Sequence, residues 1–310
     1  MRMPFPIRAG SGGEKVSMNR KEVGMDAIQG VFTSAFQVRH HENADGSDLP
    51  LLTVPALEAA GMVRHGFSTR AGGVSEDYFA ELNLKFGNGD TDAHVMENYR
   101  RLADAFGIRP DAFVFTDQTH TTNVRIVTKA DAGAGLTRPQ DRRGIDGLVT
   151  NEPGVMLSAF FADCVPLLFA DPVHRAIGVA HSGWRGTVGR MGAEMIRVMR
   201  QQYHTDPGDL ICAVGPSICQ SCYEVGEDVA EAFRTEFSGR QQSILKEKGG
   251  GKYLLDLWEA NRIVLEEAGV PADRITVTDL CTCCHPKLLF SHRASHGKRG
   301  NLGAFLMLNP

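Results

Sequence analysis

The chain lacks any stretch able to cross a membrane as a helix. A span needs roughly 20 consecutive apolar residues, and the longest apolar run, residues 155–170, is broken by Asp163 and Pro166. That run reads as two buried strands joined by a turn. An excess of charge of one sign is also missing. Basic residues number 33 and acidic ones 37, for a net charge of −4, so there is no electrostatic footprint for a nucleic acid. Aromatics are scarce, at 7%, and form no basic-aromatic stripe on which bases would stack. The basic N-terminus has no apolar core and does not read as a secretory signal. No G-x-G-x-x-G follows the first predicted strand, and Gly10-Ser11-Gly12-Gly13-Glu14-Lys15 lacks the spacing of a phosphate loop. The seven cysteines are an odd count; without a secretion signal they read as reduced thiols of a cytoplasmic protein, not a disulfide framework. What these absences leave as the default is a small-molecule substrate.

What is present is an irregular alternation of strands and helices. Residues 62–69 read as a strand and residues 90–106 as a helix, with Val95, Tyr99, Leu102, Ala103 and Phe106 at helical spacing and Gly107 as the stop. Further strands are predicted over 112–116, 124–128, 155–161, 166–170, 176–180, 210–214 and 275–279. Helices are predicted over 189–203 and 227–237, and a third is capped by Asp256 and ends before Gly269. Residues 131–144 read as a loop, and residues 241–252, with three glycines, as a flexible one. Several strands are joined by short turns and no regular βαβ series appears. The pattern therefore predicts an α+β fold with mixed β-sheets and helices packed on their outer faces. Residues 1–50, rich in turn formers, read as an N-terminal extension, partly disordered and dispensable for catalysis, ahead of a domain over 51–310.

Three residues with metal-ligand chemistry sit where predicted strands end. They are His120 in Gln118-Thr119-His120, Cys164 in Asp163-Cys164-Val165-Pro166, and His181 in His181-Ser182-Gly183-Trp184-Arg185-Gly186. Two imidazoles and a thiolate suit zinc or copper. Three protein ligands leave a coordination position open, as catalytic sites do and closed structural sites do not. Asp163 is placed to orient a ligand or to act as a general base, against its ordinary role as a turn carboxylate. Arg185 lies on a glycine-punctuated loop entering a helix, where N–H groups and a guanidinium favour phosphate. Arg70, before Gly72-Gly73, and Asn83 are further candidates for phosphate or a ribose hydroxyl; the alternative for each is a solvated loop residue. Taken alone, His181 would read as a buried, hydrogen-bonded strand-end histidine and Cys164 as a small buried hydrophobe.

The motifs also follow one another in a familiar order. His65-Gly66-Phe67-Ser68-Thr69-Arg70-Ala71-Gly72-Gly73-Val74-Ser75 comes first, then Leu82-Asn83-Leu84 and Asn88-Gly89-Asp90. Gln118-Thr119-His120, Asp146-Gly147-Leu148-Val149-Thr150, the Cys164 turn and the His181 loop continue the series. Gly215-Pro216-Ser217-Ile218, Cys222-Tyr223-Glu224-Val225-Gly226, Cys281-Thr282 and Phe290-Ser291-His292-Arg293 complete it. From about residue 51 onward the chain resembles the multicopper-oxidase-like, laccase-domain family of purine nucleoside phosphorylases.

The resemblance implies a single compact domain and a metal held by His120, Cys164 and His181, zinc in the first instance with copper as the alternative. It implies phosphorolysis of adenosine, inosine, guanosine and S-methyl-5'-thioadenosine, with adenosine deamination as a second activity. The expected partners are purine nucleosides and inorganic phosphate, with no nucleic acid and no membrane. The protein is expected in the cytoplasm, as a monomer or weak homodimer. Two readings from other classes stand beside this one. One is a copper-dependent polyphenol oxidase, though the chain has one triad and no set of histidine pairs for several coppers. The other is a metal-free cysteine hydrolase, with Cys164 as nucleophile and His181 as base.

The chain departs from the family pattern at His292, where an aromatic is usual. It departs again at Gly300-Asn301-Leu302-Gly303, which replaces a glycine-arginine motif, so substrate contacts in that segment stay open. Cys219 and Cys222, spaced C-x-x-C, and Cys281-Thr282-Cys283-Cys284-His285 offer thiols for a structural zinc. The resemblance gives no second metal site, so these read as thiols packed beneath the rim of the active site, with Cys283 and Cys284 exposed.

Overall fold

The computed structural model describes residues 33–141 and 143–310. Strands β1 (Gln37–Glu42) and β2 (Asp48–Thr53) open it, followed by helix α1 (Pro55–Ala59) and β3 (Val63–Ser68). Helix α2 (Asp92–Phe106) leads to β4 (Phe113–Phe115), β5 (Val124–Ile126) and β6 (Gly147–Thr150). Next come β7 (Met156–Phe161), β8 (Val165–Asp171) and β9 (Ala176–Ser182), then helices α3 (Trp184–Val188) and α4 (Met191–Tyr203). β10 (Ile211–Val214) and β11 (Glu224–Gly226) precede α5 (Glu227–Glu236) and α6 (Gln241–Ile244). The chain ends with the hairpin β12 (Leu245–Gly249) and β13 (Lys252–Leu255), helix α7 (Leu257–Glu267), β14 (Ile275–Val277) and β15 (Leu302–Leu308).

Two mixed six-stranded sheets dominate, ordered β1-β2-β3-β15-β7-β4 and β14-β10-β8-β9-β6-β5; a three-stranded sheet, β11-β13-β12, lies beside them. The large sheets pack face to face, with Phe67, Leu157 and Ala159 of the first in one core with Leu148, Leu168 and Val179 of the second. Helix α2 covers the outer face of the first sheet, burying Tyr99, Leu102 and Phe106 against Phe113 and Phe305. Helices α4 and α7 cover the outer face of the second. This is the expected α+β arrangement. β8 and β9 are buried at every position, which is why they read as continuous apolar runs and not as alternating ones. Helix α2 starts where the Thr91 hydroxyl accepts from the His94 amide and stops at Gly107, which takes φ 62°. Among the described residues no helix is long and apolar enough to cross a membrane.

Four expectations change. Residues 241–252 are not a loop: after α6 they form the β12–β13 hairpin, and Gly249, Gly250 and Gly251, at φ 95°, 62° and 71°, make its turn. The segment after His181 is not a glycine loop but the start of α3, with Gly183 as its N-cap. The boundary expected between residues 50 and 51 falls inside β2, whose Leu49 is completely buried, while residues 1–32 lie outside the described residues. Strand β15, unforeseen, is buried at all seven positions and lies between β3 and β7.

The topology places the site. The chain crosses from the first sheet to the second between β4 and β5, and again between β7 and β8. His120 lies in the former crossing and Cys164 in the latter. His181, near the end of β9, pairs with Pro166 at the start of β8, two residues past Cys164.

Candidate metal centre

Asp146, fully buried just before β6, organises the site. Its Oδ1 accepts from His181 Nδ1 at 2.8 Å and from the His120 amide at 3.1 Å. Its Oδ2 accepts from the amides of Thr119 and Thr121, at 3.1 and 2.9 Å, and from the Thr121 hydroxyl at 3.0 Å. These bonds fold the chain into a tight turn in which His120 takes φ 64°, and the His120 and His181 rings meet edge to face at 4.9 Å. Burial pushes the Asp146 carboxyl up, but the His181 and threonine donors outweigh it and hold it below the usual range.

The turn between β7 and β8 presents Cys164. Asp163 there has φ 91°, a conformation that L-residues avoid. Its side chain holds the turn: Oδ1 accepts from Thr282 Oγ1 at 2.7 Å and Oδ2 from the Arg293 amide at 2.6 Å. Each carboxylate oxygen thus accepts a bond that holds the turn, and Asp163 does not line the cavity. Gly183 matters for a different reason. A Cβ at that position would lie 3.0 Å from the His120 ring and 3.1 Å from Cys164 Sγ.

The ligand atoms of His120, Cys164 and His181 lie within 4.8 Å of one another. Burial raises the Cys164 thiol, but His181 and His120 overcome it and bring it down to about 6. Burial lowers His181, but Cys164 and Asp146 bring it up to about 9. The two shifts agree in placing a thiolate against an imidazolium, and the thiolate is the form that ligates metal. Because Asp146 takes Nδ1 of His181, Nε2 is left as the ligating nitrogen, the orienting arrangement usual for metal-bound histidine. A Cys–His–His donor set with an open side fits a zinc or copper ion.

The centre lies in a cavity of about 340 Å³. Phe86, Phe115, Phe160 and Phe161 supply apolar wall, while Lys85 and Arg299 supply positive charge. Arg299 comes from the long connection before β15. Its guanidinium reaches the Gly300 carbonyl at 3.2 Å and the Asn301 side chain, but its Nε has no hydrogen-bond partner. Burial lowers its pKa against the opposing pull of Asp163 and Cys164, which sets it near both.

Of the residues singled out from sequence, the fold brings His120, Cys164 and His181 together and puts Asp163 directly behind them. Arg185 is exposed, stacked over Trp184 at 4.2 Å, and does not line the cavity. Arg70 donates to the carbonyls of Ala80 and Pro286, at 2.7 and 2.6 Å, and lies over the Phe290 ring. Asn83 is buried, and its Oδ1 accepts from the Asn301 amide at 3.0 Å, so it supports the segment that carries Arg299. Sequence reasoning missed Asp146 and Arg299. The signals were an acid directly before an apolar strand, Asp146-Gly147-Leu148-Val149, and a basic pair before glycine, Lys298-Arg299-Gly300.

Comparison with known proteins places this geometry in context. The model of the family described as multi-copper polyphenol oxidoreductase laccase matches residues 64–309. Purine nucleoside phosphorylase YlmD of Bacillus subtilis is 39% identical over 242 residues, covering 78% of this chain and 87% of the relative. A purine nucleoside phosphorylase of Deinococcus radiodurans is 40% identical over 260 residues, covering 84% and 93%. The crystal structure of YlmD from Geobacillus stearothermophilus superimposes with a TM-score of 0.79 at 35% identity, covering 89% of this chain and 99% of that one.

Proposed function

The chain belongs to the multi-copper polyphenol oxidoreductase laccase family, and we propose on that premise that it is a metal-dependent purine nucleoside phosphorylase. One observation carries the proposal. A Cys164–His120–His181 centre opens into a cavity that joins a phenylalanine wall to the half-buried guanidinium of Arg299. The relatives named as purine nucleoside phosphorylases support it.

Phosphorolysis joins a phosphate oxygen to C1′ of the ribose and breaks the C1′–N9 bond, whose electron pair leaves with the purine. The site must therefore hold an anion beside a flat heteroaromatic ring. Phe86, Phe115, Phe160 and Phe161 offer apolar surface to the purine. Arg299 and Lys85 hold the phosphate, Arg299 by a planar fork whose attraction for an anion is less screened where it is partly buried. Asp146 fixes the ring of His181, and Asp163 fixes the turn of Cys164. A zinc ion, when bound, would supply Lewis acidity and activation of water, the chemistry that deamination at C6 of adenosine needs.

The substrates we assign are adenosine, inosine, guanosine and S-methyl-5'-thioadenosine, with adenosine deamination as a second activity and zinc as the cofactor. The Cys164–His181 ion pair would equally suit a metal-free cysteine hydrolase. The third donor, His120, aimed at the same point, favours the metal. Protein of measured metal content, incubated with adenosine, separates these readings. With phosphate, adenine and ribose 1-phosphate are expected; without it, inosine and ammonia. The proposal fails if metal-loaded protein forms no ribose 1-phosphate from adenosine, inosine or guanosine and no 5-methylthioribose 1-phosphate from S-methyl-5'-thioadenosine.

A further inference from the structure

The fold gathers four cysteines outside the site described above. Cys219 and Cys222 flank a turn that follows β10, and Cys281 and Cys284 lie on the connection between β14 and β15. They are far apart in sequence, yet their four sulfurs lie within 4.8 Å of one another. Cys222 and Cys284 sulfurs are 3.4 Å apart, and Cys219 and Cys284 sulfurs 3.9 Å. Sulfurs at the corners of a tetrahedron around one zinc, at about 2.3 Å from the metal, are separated by about 3.8 Å. The observed separations bracket that edge. They are far longer than the roughly 2.05 Å of a disulfide. A multinuclear iron–sulfur cluster spreads its thiolates over several metal atoms and needs a wider ring than this one.

The backbone supplies a second, independent observation. The Cys284 amide donates to Cys281 Sγ at 3.4 Å, while the Cys222 amide donates to the Cys219 carbonyl at 3.1 Å. The Cys281 loop therefore curls its last amide onto its first sulfur, a shape that satisfies a thiolate, and the Cys219 loop closes as a tight turn that brings its two cysteines together. The Cys219 amide adds a further bond to Cys281 Sγ at 3.2 Å, tying the two loops together. Positive charge lies close by: the Arg293 guanidinium donates to the carbonyls of Cys222 and Glu224, at 3.2 and 3.0 Å.

We propose that Cys219, Cys222, Cys281 and Cys284 bind one zinc ion as a closed structural site, separate from the Cys164 centre. Four thiolates in tetrahedral array leave no position open, so the ion does no chemistry on substrate. Its role follows from what it clamps. Residues 278–301 connect β14 to β15 without a helix or strand. That is well beyond the roughly 12–15 residues at which structureless connections become uncommon in compact domains. The same connection carries Thr282 and Arg293, which hold Asp163, and Arg299 in the cavity. Zinc fastens the start of this segment to the loop after β10 and so braces one side of the active site.

The test uses the full chain, purified under reducing conditions, with zinc and cobalt(II) as probes. Cys164→Ala removes the one thiolate of the other centre, so any sulfur-to-cobalt charge transfer that remains comes from elsewhere. The Cys164→Ala protein is expected to keep one equivalent of tightly held zinc. Loaded with cobalt, it should show intense near-ultraviolet charge transfer and the visible bands of a tetrahedral four-thiolate complex. Adding Cys219→Ser and Cys222→Ser should abolish both. The proposal is overturned if cobalt-loaded Cys164→Ala protein lacks the four-thiolate spectrum, or if the serine variant keeps the same zinc. It is also overturned if peptide mapping of the unreduced chain finds two of these cysteines joined as a disulfide. Should the serine variant not fold, the Cys164→Ala spectrum decides by itself.

Discussion

At the scale of the residue, the most consequential side chain is one that touches no substrate. Asp146 accepts five hydrogen bonds that set both His120 and His181. Asp146→Asn keeps the shape but turns an NH2 group toward amide donors, so at least one of these bonds becomes a donor–donor clash. Loss of such an orienting partner typically weakens metal binding about 10- to 100-fold. Chelator competition on the folded variant should read a loss of that size, and unchanged affinity would mean that the histidines are oriented by something else. A second prediction sets two arginines against each other. Arg299 lines the cavity with an unpartnered Nε, whereas Arg185 is exposed on its own tryptophan. Removing a charge-assisted contact costs about 1.5–3 kcal/mol, roughly ten- to hundredfold in an equilibrium constant. Arg299→Ala should raise the phosphate concentration needed for phosphorolysis by about that factor with metal content intact, and Arg185→Ala should leave it unmoved. The opposite pattern would restore Arg185 as the phosphate ligand.

At the scale of the element, periodicity exposed the helices well. The apolar stripe of α2, the Asp256 cap of α7 and the short apolar strands around Cys164 and His181 all appear where their patterns put them. Two kinds of element were illegible. β15 has no period-2 alternation because both its faces are buried, and the β12–β13 hairpin hides behind glycines that look like a loop. The candidate metal ligands His120, Cys164 and His181 were legible because they lie next to such strand ends. Arg299 was not, because only the fold returns a C-terminal loop to the Cys164 turn. Motifs also mislead by mixing roles. Cβ atoms at Gly72 and Gly73 would lie 2.6 Å from the Asp48 carbonyl oxygen and 2.2 Å from the Glu81 carbonyl oxygen, so the glycines after Arg70 allow close packing and do not line the cavity.

His65 of β3 likewise serves the structure. Its Nε2 accepts from the Val54 amide at 2.8 Å, joining β3 to the start of α1. Burial, aided by Arg39, lowers its pKa to about 4. The unfolded chain takes up a proton on this residue near pH 6.5 that the folded chain refuses until about pH 4. Its contribution to stability is therefore complete above the unfolded value and is lost as pH falls toward the folded one. Between pH 7 and pH 5 the loss is about 2 kcal/mol. His65→Gln keeps an acceptor for Val54 without titrating. Urea unfolding at the two pH values should show a smaller acid-induced drop in the variant, by about that amount; equal drops would mean that His65 is protonated in the folded chain.

At the scale of the whole molecule, the question is where the folded unit begins. Turn-rich composition points to a start at residue 51, but β1 and β2 form the edge of the first sheet, paired from Gln37↔Thr53 to Glu42↔Asp48. The turn between them is tied into the structure: Asn43 Nδ2 donates to the Gly72 carbonyl at 3.0 Å, and Arg101 of α2 reaches Asp45 at 2.7 Å and Gly72 at 3.0 Å. Gly72 belongs to the segment that also bears Arg70, whose side chain holds Pro286 on the connection leading to Arg293 and Arg299. A continuous path thus runs from the first sheet's edge to the segment that lines the cavity. Deleting residues 1–50 removes β1, the buried Leu49 and half of β2; Leu51 and Leu52 still pair with Ser68 and Phe67 of β3 but lose their own partners, Arg39 and Val38, in β1. Loss of the Leu49 side chain alone costs on the order of 3 kcal/mol, a large part of the 5–15 kcal/mol by which domains are stable. The truncated chain should therefore melt at a markedly lower temperature or fail to fold, and any soluble fraction should need more phosphate because the Arg299 segment has lost its support. Calorimetry and phosphate titration on a chain starting at residue 51 decide this. Wild-type melting and turnover there would show that the sheet closes without β1 and that the unit begins where composition alone puts it.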